Sequence, residues 1–268
     1  MPPHLLSVNT GRAAPVARTD NPGGLTGIDK RPTEGGIAVD APGPKGTGGS
    51  GLAGDSVADL RHHGGDDQAV YAYAREDLDH WSEELGQPLH NGVFGENLTT
   101  EGIDVNDVKI GERWRVGDTL LLEATSPRIP CSTFADWLGQ RGWVRRFAGA
   151  ALPGAYFRVL RPGTIRAGDR IEVVHRPAHD VSVALAFRAQ LGEPALRPRL
   201  LAAGTALHTE LYRKAVAWAE PATATDTTDR TDPADPAEPA EKTESAEPAE
   251  KTEPAEPVAA TGAAKSIG

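Results

Sequence analysis

The chain has one cysteine, Cys131, and one methionine in 268 residues. A single thiol excludes an internal disulfide framework and any zinc or iron–sulfur site built from several cysteines. Long apolar runs are missing too. None approaches the ~20 residues of a membrane span, and the start, Met1-Pro2-Pro3-His4-Leu5-Leu6-Ser7, lacks the basic opening and apolar core of a secretory signal. Basic charge is not in excess: 38 acids face 28 Lys and Arg, for a formal charge of -10. A phosphate-driven nucleic-acid binder is therefore disfavoured. The expectation is a soluble cytoplasmic protein with no nucleic-acid or membrane partner.

What is present is unevenly spread. Residues 221–268 carry 11 acids and 4 Lys or Arg, leaving 27 and 24 for residues 1–220. From Glu220 onward the chain is Pro, Ala, Thr, Asp and Glu, with AEPAEKTES at 237–245 followed by AEPAEKTEP at 246–254. Such a segment cannot bury enough apolar surface to offset its ordering entropy, so 220–268 reads as a disordered acidic tail. It serves solubility or docks a basic partner. The remaining length suits one good core, or one core with a small satellite.

The body reads as mainly β with inserted helices. Strands are expected at His4–Asn9, Ile37–Val39, Thr119–Ala124, Ala155–Leu160 and Arg170–Val174, with Gly-Asp turns at Gly117-Asp118 and Gly168-Asp169. Val70, Tyr73, Ala74, Leu78, Trp81 and Leu85 fall at helical spacing and predict one long helix over 67–86. Many short strands with few helices suggest a closed or nearly closed β-barrel over residues 1–176. After Pro177 the texture becomes helical. Segments 181–189, 195–203 and 208–219 predict a small three-helix C-terminal domain over 177–219, read as a packing appendage.

Three loops carry candidate chemistry. Arg61-His62-His63-Gly64-Gly65-Asp66 precedes the predicted long helix. Two glycines and a helix start make an anion site, or simply a Gly-Gly turn with Asp66 as the helix cap. Phe94-Gly95-Glu96-Asn97-Leu98 permits a tight turn, in which Asn97 grips a ligand or its own backbone. Ser126-Pro127-Arg128-Ile129-Pro130-Cys131-Ser132 leads into a short predicted helix, Thr133–Leu138. Cys131 at that helix start, three residues after Arg128, favours a thiolate, which is a nucleophile or a soft-metal ligand. The alternative is a small buried hydrophobe.

Ile28-Asp29-Lys30-Arg31-Pro32, Gly51-Leu52-Ala53-Gly54-Asp55, Asp59–Gly65, Gly95–Thr100 and Pro127-Arg128-Ile129-Pro130-Cys131 occur in that order. Together they resemble the MOSC domain, named for the C-terminal domain of molybdenum cofactor sulfurase, and its stand-alone YiiM-type branch in particular. The likeness runs from about residue 5 to 176, and 178–219 resembles that branch's three-helix domain. It implies a β-barrel that binds molybdenum cofactor, with Cys131 ligating the metal. The Arg61–Gly65 loop would suit the cofactor's phosphate, Lys30, Arg31 and Arg128 would add positive charge, and Asn97 would meet the pterin edge.

Relatives of this branch imply reduction of N-hydroxylated compounds, such as N-hydroxylated purine analogues, with the oxygen leaving as water. No nicotinamide fingerprint or second cysteine is present. The resemblance therefore implies a separate reductase as electron donor. The same residues also suit a non-catalytic carrier of the cofactor or its sulfur.

Overall fold

The computed structural model describes residues 2–16, 19 and 23–220; the tail predicted from composition lies outside them. The strands are β1 (His4–Thr10), β2 (Ala14–Pro15), β3 (Leu25–Thr26), β4 (Arg31–Pro32), β5 (Ile37–Val39), β6 (Val70–Ala74), β7 (Leu98–Glu101), β8 (Arg113–Val116), β9 (Leu120–Pro127), β10 (Ala155–Arg161), β11 (Gly163–Ile165) and β12 (Ile171–His175). The helices are α1 (Arg75–Leu85), α2 (Ser132–Leu138), α3 (Trp143–Ala150), α4 (Val183–Leu191) and α5 (Thr209–Ala219).

Eight strands form one sheet in the order β12-β8-β9-β10-β6-β7-β1-β4. Neighbours are antiparallel except β6 and β7. Of the expected closed or nearly closed barrel, full closure is not found: among the described residues the ladder runs from β12 to β4 without joining its ends. The β1–β7 ladder carries a register shift between Leu5 and Ser7, where a bulge bends the strand. The start of β1 reaches the far end of the sheet through the bridge His4–Arg170 and through Leu5 N to Asp169 O at 2.8 Å. Its last residues, Asn9 and Thr10, pair with β4.

The predicted helix over 67–86 is corrected. Asp66–Gln68 forms one 3-10 turn, Val70–Ala74 is a strand, and the helix starts at Arg75. All five residues of β6 are buried, where β10 and β7 flank it. A wholly buried strand shows no two-residue alternation, so Val70, Tyr73 and Ala74 mimicked a helical stripe. Gly86 ends α1 in the left-handed conformation, with φ 65°. Within α1, Asp77 accepts a hydrogen bond from Asn106 Nδ2 at 2.7 Å. Burial pushes its carboxyl up to about 6, and Asp104 and Glu76 push the same way.

Two apolar clusters hold the molecule. One fills the sheet interior around Trp114 and Phe157 and continues into Val183, Leu200, Leu211 and Ala215 of the C-terminal segment. The other is aromatic: Tyr71, Tyr73, Trp81, Phe94, Phe134, Trp143, Phe147 and Phe187. Here α3, which the sequence reading did not predict, sets Trp143 at 4.7 Å from Trp81, ring to ring, and Phe147 at 6.0 Å. Burying each such ring contributes ~1.5–3 kcal/mol, which anchors a two-turn helix too short to stand alone.

The expected three-helix bundle is instead α4, a 3-10 run over Pro194–Ala206 and α5. Pro194 and Pro198 remove backbone donors from the middle segment, and Gly204 breaks it with φ 53°.

Candidate functional site

A cavity of about 600 Å³ takes its wall from β6, β9 and β10, from loops at 25–30, 55–64 and 126–131, and from α4 and α5. Cys131 is on this wall, half-buried, as the residue that caps the seven-residue α2. The preceding loop leaves β9 at Pro127. Its Arg128 is only 6% exposed and lies over the Phe134 ring at 3.9 Å and the Tyr71 ring at 5.3 Å. Arg128 Nη1 donates to Phe94 O, and its Nε has no partner among the described residues.

Seven of the ten residues expected from sequence line this space: Lys30, His62, His63, Gly64, Asn97, Arg128 and Cys131. Their states differ from the expectation in part. Lys30 is buried and paired with Asp55, and desolvation lowers its pKa although Asp55 opposes this. Asn97 has its amide engaged: Nδ2 donates to Asp55 Oδ2 at 2.8 Å and to Asn9 O at 3.3 Å, while Oδ1 accepts from Tyr71 N at 3.2 Å. It acts as framework for the loop. Beside it the buried Glu96 accepts from the backbone N–H groups of Gly92 and Phe94 and from Thr99 Oγ1. Burial nonetheless pushes its carboxyl up to about 7. The His63 imidazole is pushed down to about 4 by burial, with the Arg128 charge adding to it.

Arg31, Arg61 and Gly65 are not on the wall. Arg31 is exposed and bonds Asp29 at 2.7 Å; Arg61 is exposed beside Asp59 at 3.4 Å. The Gly65 N–H is spent on Gly48 O and Gly49 O at 2.9 and 3.1 Å. A Cβ there would sit 2.7 Å from Lys45 Cα. The loop precedes a single 3-10 turn rather than a long helix, so the helix-dipole argument for an anion loses its basis. Asp66 does not cap a helix; its Oδ1 accepts from Gly43 N at 2.9 Å.

The wall also holds residues that sequence reasoning did not select: Tyr71, Tyr156, Gln68, Ser126 and His208. Ser126 adjoins the Pro127–Cys131 motif and was within reach. Gln68 and His208 come to the same wall only through the fold, and no local pattern marks them. Gln68 Oε1, Ser126 Oγ and His208 Nε2 are buried without a hydrogen-bond partner among the described residues.

Comparison with known proteins decides the family. The MOSC domain model matches residues 59–172. The uncharacterized protein YflK of Bacillus subtilis is 34% identical over 184 residues, which are 69% of this chain and 79% of that protein. The chain belongs to the MOSC domain family. The crystal structure of YiiM from Geobacillus stearothermophilus superposes with a TM-score of 0.64 at 26% identity, over 81% of this chain and 99% of that one. A protein named reductase from Gibberella moniliformis is 34% identical over 131 residues, 48% of this chain and only 23% of that protein. Among the described residues, no helix is long and apolar enough to cross a membrane.

Proposed function

We propose that the cavity binds molybdenum cofactor, with Cys131 as the protein ligand to molybdenum, and that the protein is a cytoplasmic reductase of N-hydroxylated compounds fed by a separate electron-donating reductase. The observation that carries this reading is the lone Cys131 on the wall of a cavity that also holds the buried, incompletely bonded Arg128. The donor set fits the group. Thiolate is a favoured ligand for a soft metal site, and among the described residues no three His, Cys, Asp or Glu cluster to make a metal cage. A metal at Cys131 would therefore bring its other ligands with its cofactor. Membership of the MOSC family and the name of the fungal relative point the same way.

When bound, the molybdenum centre supplies the two-electron reduction of an N–O bond. The chain supplies the rest. Arg128 gives fixed positive charge toward an anionic cofactor, while the Lys30 charge is taken up by its pairing with Asp55. Tyr71 and Tyr156 line the cavity with Cys131 and exclude water from it. The neutral His63 imidazole offers a donor and an acceptor without adding charge.

Purification from a cofactor-competent host, with molybdenum and pterin analysis and turnover of 6-N-hydroxylaminopurine with an artificial electron donor, tests the reading. Cys131→Ser keeps shape and removes the soft ligand. A folded variant with turnover per molecule unchanged would refute the ligand role. Pterin with no turnover in the unsubstituted protein would favour the carrier instead.

A further inference from the structure

We propose that His208, with Ser126 and Gln68 beside it, forms the substrate subsite of this cavity: an uncharged hydrogen-bonding edge for the nitrogen-rich rim of a flat N-hydroxylated heterocycle. The inference rests on the reductase reading above and adds the wall that takes the substrate and the residues that hold it.

A buried polar atom left without a partner costs about 1–3 kcal/mol. Among the described residues four such atoms belong to the wall of this one cavity: Gln68 Oε1, Ser126 Oγ, Arg128 Nε and His208 Nε2. Only Arg128 carries a permanent charge, and it sits in the motif that leads to Cys131. The other three make a set of different character. Gln68 Oε1 accepts. Ser126 Oγ both accepts and donates. His208 Nδ1 accepts from Glu210 N at 3.1 Å, which leaves the ring hydrogen on Nε2, as a donor. Burial lowers the His208 pKa, so the ring is neutral near pH 7. Lys45 and Glu210, charged groups of the same wall that act on His208, pair with each other at 3.5 Å, so donor, acceptor and hydroxyl without net charge suit a neutral amidine-like rim.

The three groups are held together by the residues next to them. His208 N donates to Thr125 O at 2.9 Å, and Thr125 Oγ1 donates to Asp67 O at 2.6 Å. Thr209 donates to Asp67 Oδ2 through its N at 2.8 Å and its Oγ1 at 2.7 Å. Arg158 pairs with Asp67 Oδ1 at 2.8 Å. Asp67, Thr125 and Thr209 thus form a knot, and Gln68, Ser126 and His208 are their chain neighbours. A subsite mounted on such a knot has little freedom to lose on binding.

The test uses the full-length holoprotein and the variant His208→Asn, which keeps a helix-capping side chain but cannot extend to the Nε2 position. The readings are pterin content, KM and kcat for 6-N-hydroxylaminopurine, and calorimetric binding of adenine, the dehydroxylated product. We expect unchanged pterin, a KM about tenfold higher, kcat within about threefold, and adenine affinity about tenfold weaker, the effect of one lost hydrogen bond. Unchanged KM and adenine affinity in the folded variant overturn the proposal. So does loss of pterin, which would put His208 on the cofactor side. Should His208→Asn not fold, Gln68→Met carries the test: raised KM and weakened adenine binding uphold the subsite, and unchanged values overturn it. Absence of pterin and turnover in the unsubstituted protein defeats the reductase reading separately; adenine binding that His208→Asn abolishes would still uphold the subsite.

Discussion

Replacing Arg128 by Met should abolish cofactor retention while leaving the cofactor-free fold close to its original stability. Arg128 is buried, and among the described residues it takes part in no salt bridge; Tyr71, Tyr156 and Cys131 are ionisable groups that act on it. The substitution removes a charged hydrogen bond to Phe94 O, worth about 1.5–3 kcal/mol. It also removes the contact with the Phe134 ring at 3.9 Å, worth roughly 2 kcal/mol when desolvated. Against these stands the desolvation of a guanidinium buried without a carboxylate partner, several kcal/mol, which Met does not carry. The terms cancel to within about 2 kcal/mol, a melting shift under roughly 8 °C for a domain of this size. The assay is thermal melting of wild-type and Arg128→Met protein made in a host unable to make the cofactor, with pterin analysis of both from a competent host. A fall in Tm of more than about 10 °C in the cofactor-free variant would make Arg128 a framework residue and sink the argument. Full pterin content in the variant would sink it equally.

Gly65→Val should lower stability sharply, since a Cβ there meets Lys45 backbone at 2.7 Å in a φ of 79°; circular dichroism melting checks it, and a stable variant contradicts the packing argument. Asp77→Asn tests the raised carboxyl near 6. A group whose folded pKa is raised stabilises below its unfolded value and loses that stability as pH rises through its folded value. The variant should therefore melt higher than wild type at pH 7–8, by about 1–3 kcal/mol, and not at pH 4; equal melting at both pH values would show the shift is absent. Deleting residues 221–268 should leave melting temperature, pterin and turnover of the remaining chain nearly unchanged. A large fall in any of them would give the tail a structural part.

The sequence was most legible where chemistry is local. Cys131 at the start of a short helix ending at Gly139 follows from the Pro127–Cys131 loop and the positive φ that glycine adopts there. Strands such as Ile37–Val39 and Ala155–Arg161 were readable within a residue or so from their β-branched and aromatic runs. The failures are tertiary. Residues 70–74 look helical until β7 and β10 flank them. The helix Trp143–Ala150 exists because Trp81 and Phe94 await its rings. The register shift between Leu5 and Ser7 has no sequence signature. In the site, the motif residues converged, but Arg31, Arg61 and Gly65 turned out to serve the surface and the loop scaffold. The His208 wall was invisible because its partners lie far away in sequence.

The bonds from Thr209 to Asp67 join residues 142 apart. A nascent chain that has released Cys131 from the ribosome therefore still lacks one side of the cavity. The Cys131 loop, Lys30 and Arg128 are all in place by residue 131, yet Gln190, His208, Leu211 and Lys214 of the wall are added last. Closing so long a loop carries an entropic cost that late, cooperative docking must recover. On the proposed function, cofactor loading would wait for the final stage of synthesis, and a ribosome stalled before α5 would display the thiol in an unfinished, open vessel.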